Sequence, residues 1–231
     1  MKSIVATCVV FICCALVAAK GPQATPLKDV VNHLDQAAKK FQSMSAQISW
    51  TKHTDVLNDN STQTGQAYQA KTAKGPVGRI DIAAPDKRGY AFEGRTIQIY
   101  YPNAKELHIY DTGAQGEQIE QFLMLGFGSS GTHLQKSYEM RLSGTDDVNG
   151  SKAVHMTLIP KSGEARKLVK QVDLWISDRD YYPVQEKILE PSGDYNLLVF
   201  SSVQINPPFK ESDMKLKIPD GVRKIYPQRE K

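Results

Sequence analysis

Residues Arg79–Asp111 read RIDIAAPDKRGYAFEGRTIQIYYPNAKELHIYD. The stretch predicts four short strands with tight connections. Ile80 and Ile82 alternate with Arg79 and Asp81, and Tyr90 and Phe92 flank Ala91. Ile97, Ile99 and Tyr101 alternate with Gln98 and Tyr100, and Leu107 and Ile109 alternate with His108 and Tyr110. Alternation with a period of two marks antiparallel strands that bury one face and wet the other. The breaks at AAPDKRG, EGRT and YPNAKE supply the Pro, Asp, Gly and Asn that turns require. Read as a meander, the stretch offers its apolar residues as one continuous concave wall. The rest of the chain is expected to extend that wall or to cover it.

Upstream, Leu27, Val30, Val31, Leu34, Ala37, Ala38, Phe41 and Met44 fall on one helical stripe, opposite Lys28, Asn32, Asp35, Lys39 and Lys40. Thr25 and Pro26 suit the start of that helix, and Asp29 suits its positive end. Two long strands should follow, near 45–57 and 64–74. They carry Gln47, Ser49, Thr51 and Gln66, which predicts edge or strongly curved positions. Downstream, IEQFLMLGF at Ile119–Phe127 reads as an apolar helix, with Phe122, Leu123, Leu125 and Phe127 as a lid and GFGSSG as its flexible exit. The second half is again strand. Tyr138, Met140 and Leu142 alternate with Glu139 and Arg141, Val154, Met156 and Leu158 with His155 and Thr157, and Val172, Leu174 and Ile176 with Asp173 and Trp175. Val184–Glu190, which holds Gln185, Glu186 and Lys187, reads as more exposed, and the tail reads as a last short strand ended by a turn. The fold class expected is mainly β: one highly curved antiparallel sheet of about eleven strands, an unclosed barrel with helices on one side. The candidate cavity residues are Ile80, Ile82, Tyr90, Phe92, Ile97, Ile99, Tyr101, Leu107, Ile109, Met140, Met156 and Leu174. Large but mixed side chains of this kind suit a pliable pocket.

The first residues read as a targeting segment. Lys2 precedes an apolar run from Ile4 to Val17, and Val17-Ala18-Ala19 matches a small-residue cleavage site. Residues 1–19 are therefore expected to be removed, with a cut after Gly21 as the alternative, leaving 20–231 as one domain outside the cytoplasm. Cys8, Cys13 and Cys14 all lie in that run, so the mature chain would hold no disulfide, reactive thiol or thiolate metal site. Of 231 residues, 40% are hydrophobic and 23% charged, enough for a real core, and the net charge of +4 is spread out. Lys and Arg do not cluster with aromatics, so no nucleic-acid partner is expected.

Chemistry of other kinds finds little support. Gly126–Gly131 matches G-x-G-x-x-G by spacing but lacks the strand–turn–helix setting of a nucleotide loop. Neither Ser129 nor Ser130 sits in a nucleophile elbow. His33, His53, His108, His133 and His155 lack metal-ligand spacing. Asp146, Asp147, Asp173, Asp178 and Asp180 fall in turns or on polar strand faces without an acid–base partner in view. The chain reads as non-catalytic, with no cofactor.

The order of elements resembles the LolA family of carriers for outer-membrane lipoproteins. FQSMSAQISW resembles the family's helix end running into strand one, and EGRTIQIYYPNAKELHIYD its paired strands, at Glu93, Gly94, Arg95, Tyr100 and Pro102. DLWISDRDYYPVQEKILEPSGDYNLLVFSSVQIN resembles later paired strands, at Pro183 and Gly193, and KIPDGVRKI the terminal segment, at Pro219, Gly221 and Val222. Where members carry Arg before the strand-ending proline, this chain has Ala84, with Lys87 and Arg88 nearby. The resemblance implies an unclosed β-barrel under a helical lid, with a hydrophobic cavity for lipoprotein acyl chains. It implies a periplasmic monomer that meets an inner-membrane donor complex and an outer-membrane acceptor. A lipid or lipoprotein sensor that regulates an envelope protein is the alternative on the same fold.

Overall fold

The computed structural model describes residues 26–113 and 125–228. In chain order the described elements are α1 (Leu27–Lys40), β1 (Ser43–Thr54), β2 (Asp59–Thr72), β3 (Gly75–Ala84), β4 (Arg88–Glu93), β5 (Thr96–Tyr101) and β6 (Glu106–Asp111). Then come α2 (Gly131–Ser137), β7 (Tyr138–Val148), β8 (Ser151–Pro160), α3 (Gly163–Leu168), β9 (Gln171–Ser177), β10 (Pro183–Leu189), β11 (Tyr195–Ile205) and β12 (Arg223–Ile225). All twelve described strands join one sheet in the order β12-β6-β5-β4-β3-β2-β1-β11-β10-β9-β8-β7. Every pairing is antiparallel except that of β12 on β6. The sheet is not closed by hydrogen bonds, since β12 and β7 are its two edges.

The sheet curls. Neighbouring strands lie about 4.8 Å apart, so β1 and β4 would be ~14 Å apart on a flat sheet. Yet the Trp50 ring of β1 and the Tyr90 ring of β4 have centroids 5.7 Å apart. Their common side is therefore the concave one. On that side α1 buries Val30, Val31 and Leu34 against Met140, Met156, Leu158, Val172, Leu174 and Ile176 of β7–β9. A second cluster, around Phe41, Met44, Ala46, Ile48, Ala67, Ile82, Phe127 and Phe200, fills the middle of the sheet.

Three sequence expectations change here. Of the two positions expected for β1 and β2, strongly curved holds and edge does not: β1 lies between β2 and β11, in the part of the sheet that curls. Their polar residues did not signal an edge, because Gln47, Ser49, Thr51 and Gln66 all fall on the convex, wetter face. Met44, Ala46, Ile48 and Trp50 alternate inward. The gap between the two expected strands, NDNST at 58–62, reads from its turn-rich composition as a loop, and it is not one. The reversal is at Asp55–Asn58, with Asn58 left-handed at φ 46°, and β2 begins at Asp59. In addition, the last strand follows the Pro219–Gly221 turn rather than preceding it, and it pairs parallel to β6.

The junction of α1 with β1 is closed from a distance. Asn206 accepts from the backbone N–H groups of Gln42 and Ser43 at 2.7 and 3.2 Å and donates to the Lys40 carbonyl at 2.9 Å. One side chain at the end of β11 thus satisfies groups that the helix end leaves open.

Candidate functional site: the half-buried concave wall

Direct cross-strand partners share a face, so the register decides what lines the wall. Ile80 pairs with Tyr90, Tyr90 with Ile99, Phe92 with Ile97, and Gly78 with Phe92. The Phe92 ring lies flat over Gly78: a Cβ there would sit 2.1 Å from the ring. Ile80, Tyr90, Phe92, Ile97, Ile99 and Tyr101 thus form one concave, apolar surface, and every one of them is half-buried rather than sealed. Helices α1 and α2 pack over β7–β9, at the other end of the sheet.

The twelve residues expected to line one cavity divide three ways. The six above form the open wall. Ile82, Met140, Met156 and Leu174 share its side but are packed solid, with Met156 and Leu174 both at 0% exposure. Leu107 and Ile109 lie on the opposite, convex face, because Leu107 pairs with Tyr100 and Ile109 with Gln98. The four-residue turn Pro102–Lys105 sets that register, and it turns Glu106, His108 and Tyr110 inward instead. Alternation alone assigned β6 backwards because its convex face is not wet. The C-terminal segment lies over it: Leu216 presses on Gly89, and a cavity of about 830 Å³ there is bordered by Val77, Leu107, Met214, Leu216 and Ile218.

Polar groups rim the wall. Arg88 is on the concave face, with its guanidinium 5.0 Å from the Tyr101 ring centre and Nη1 3.4 Å from the Tyr90 hydroxyl, whereas Lys87 is exposed in the preceding turn. Glu106 Oε2 meets His108 Nε2 at 2.9 Å. A cleft of about 740 Å³, bordered by Asp35, Lys39, Lys71, Ser129, His133 and Tyr138, separates α1 and α2 from the ends of β2 and β3.

Of the expected lid, Phe122 and Leu123 lie outside the described residues, as does the cleavage site at residues 17–19. Leu125 and Phe127 are described. They are not in a helix but in a bent segment, each buried, Leu125 in the cluster under α1 and Phe127 in the central cluster. Phe127 packs edge-on to Phe200 at 5.1 Å, and its carbonyl accepts from Gln69 Nε2 at 3.2 Å. The two glycines are there for close approach rather than as a loose exit. At Gly126 (φ 87°) a Cβ would meet Pro183 at 2.7 Å, and at Gly128 (φ 74°) it would meet Phe41 at 2.5 Å.

Glu186 was misread from the sequence. The register of β10 puts Glu186 and Ile188 inward, opposite Leu174 and Val172, and Glu186 is only 5% exposed. Burial, with nothing charged to offset it, pushes its carboxyl up to about 8. Burial and then the nearby Glu186 push the Tyr138 hydroxyl up to about 12. Charges isolated in the middle of QEKI look like a wet strand, and only the pairing with Leu198 and Leu174 reveals otherwise.

On the convex face the sheet unites three residues that are far apart in sequence. His155 Nε2 lies 3.1 Å from Asp173 Oδ1 and its Nδ1 3.4 Å from Asp146 Oδ2, with the imidazole stacked on Trp175 at 4.3 Å. Thr157 and Gln171 donate to Asp173, and Trp175 donates to Asp146. The group closes on itself as a cross-strand polar network, on the far side of the sheet from the wall.

An open, curled antiparallel sheet with helices packed into one half of its hollow is the class of fold defined here. Solved structures share it. An uncharacterised conserved protein from Thermus thermophilus matches with a TM-score of 0.55 at 11% identity, over 86% of this chain and 98% of that one. MucB matches with a TM-score of 0.51 at 16% identity, over 82% of this chain, which spans 62% of MucB. The matches also include a LolA superfamily protein from Nitrosomonas europaea, with a TM-score of 0.41 at 9% identity over 84% of this chain and 99% of that one. By sequence, no family model and no curated relative matches.

Proposed function

We propose that the chain is a non-catalytic carrier of the cell envelope that holds the acyl chains of lipoproteins or other lipids against its concave wall, after removal of residues 1–19. One observation carries this reading: six large apolar residues on β3–β5 share a concave face and stay half-exposed, while α1 and α2 cover the other end of the same face. Each CH₂ that leaves water on such a wall stabilises the complex by ~0.8 kcal/mol. A carrier must also release, and a wall that the described residues leave half-buried keeps that cost small. The donor and acceptor implied by the LolA resemblance belong to this proposal, as does a monomeric state.

Native mass spectrometry of the protein isolated from the envelope tests it. The expected mass is that of a chain starting at Lys20 or within two residues of it, accompanied by species heavier by one lipid. A chain that starts at Met1 would contradict the processing, and a uniformly ligand-free chain would contradict the cargo. The second reading on the same fold, which MucB shares, is a lipid-sensing module that regulates an envelope protein. A carrier should pass its bound lipid to acceptor vesicles or an acceptor protein; a sensor should retain it.

A further inference from the structure

Glu186 has no packing reason to be a carboxylic acid. It stands on the concave face of β10 between Leu198 of β11 and Leu174 of β9. Its Oε1 finds no hydrogen-bond partner among the described residues. A buried polar group without a partner costs free energy that a leucine in its place would not. Glu186 also ends a continuous row that begins on the open wall. Ile99 pairs with Tyr90, the Tyr90 ring meets Trp50, and Leu198 pairs with both Trp50 and Glu186. Tyr90, Ile99, Trp50 and Leu198 are all half-buried. The indole N–H of Trp50 is already used, donating to Asn196 Oδ1 at 2.9 Å. An acyl chain lying along this row therefore runs over apolar side chains from the end that Arg88 rims, where the Arg88 Nε also lacks a partner, toward Glu186, the one carboxyl among the described residues with a buried, unpartnered oxygen.

We infer that Glu186 is a specificity residue that hydrogen-bonds the ester or amide carbonyl at the head of a bound acyl chain. This rests on the carrier reading above. At neutral pH the buried acid holds its proton, so it is a donor, and a carbonyl oxygen is the matching acceptor. An ammonium ligand would need the ionised form instead, and a bare hydrocarbon would leave the acid unpaired.

The test compares two probes on the mature chain: the palmitoyl ester and the hexadecyl ether of one fluorescent alcohol. The natural protein is expected to prefer the ester by about tenfold, one charge-free buried hydrogen bond's worth. Glu186→Gln, whose amide N–H still donates, should keep that preference. Glu186→Leu should lose it while binding the ether as before, and thermal melts should show all three proteins folded. A Glu186→Leu protein that still prefers the ester would overturn the inference. So would a Glu186→Gln protein that loses the preference, since that would mark recognition by the charged form. Equal binding of both probes by the natural protein would remove the role of Glu186 alone. Binding of neither would remove the carrier reading itself.

Discussion

Glu186→Gln is expected to be more stable than the natural sequence at pH 8 by on the order of 4 kcal/mol, and close to it near pH 4.5. The native carboxyl, raised by burial to about 8, keeps its proton through that window. In the unfolded chain the same group ionises near its model value of 4.5. Between these two values the unfolded state binds fewer protons than the native state, so stability falls as pH rises, by about 1.4 kcal/mol per unit. Tyr138, the neighbouring titratable group, is pushed up to about 12 and stays neutral throughout. Glutamine removes the ionisation and keeps the shape. Several kcal/mol is a large share of the ~5–15 kcal/mol that holds a domain folded. Urea unfolding of both proteins at intervals from pH 4.5 to 8 should give curves that diverge steadily. Parallel curves would mean that Glu186 is paired or hydrated in solution, and the donor role inferred for it would go too.

The second large effect is on binding. Ile99→Glu should leave the fold intact and reduce affinity for a fluorescent fatty-acyl probe by at least about tenfold. In a sealed core an unpaired carboxylate costs several kcal/mol and unfolds the protein. Ile99, however, is half-buried on the concave face, with His108 directly across the strand pair. A carboxylate there keeps water and an imidazole within reach, but it breaks the apolar surface at its centre. Gln47→Glu is the fitting control, since Gln47 is exposed on the convex side of β1. Gln98 is a poorer one: it borders the cavity under the C-terminal segment. A Ile99→Glu protein that fails to fold would place the residue in solid core, and one that binds normally would remove it from the site.

What the sequence reveals about this fold follows from how local each signal is. The alternation of Ile97, Ile99 and Tyr101 and the stripe from Leu27 to Ala38 depend only on near neighbours, and both are found as strand β5 and helix α1. Leu107 and Ile109 alternate just as cleanly, yet they face the other way. Which face of β6 is inner depends on the register of one turn and on a segment more than a hundred residues later, Met214–Val222, that keeps the convex face dry. The centrality of β1 depends on β11, whose partner residues lie some 150 positions away. The polar residues of β1 reported one wet face, which a central strand of an open sheet also has. Glu186 was hidden by its neighbours Gln185 and Lys187, which do point outward. Asp146, His155 and Asp173 were likewise invisible as a group until the pairing of β7, β8 and β9 was known.

The account stands on the concave face of the meander being the surface that acyl chains touch. Photolysis of the mature protein with a fatty acid carrying a diazirine along its chain, followed by peptide mass mapping, asks this directly. The expected adducts fall on Tyr90, Phe92, Ile97, Ile99 and Tyr101, and they disappear when unlabelled lipid competes. Adducts confined to Leu107 and Ile109, or labelling that competing lipid does not reduce, would contradict it.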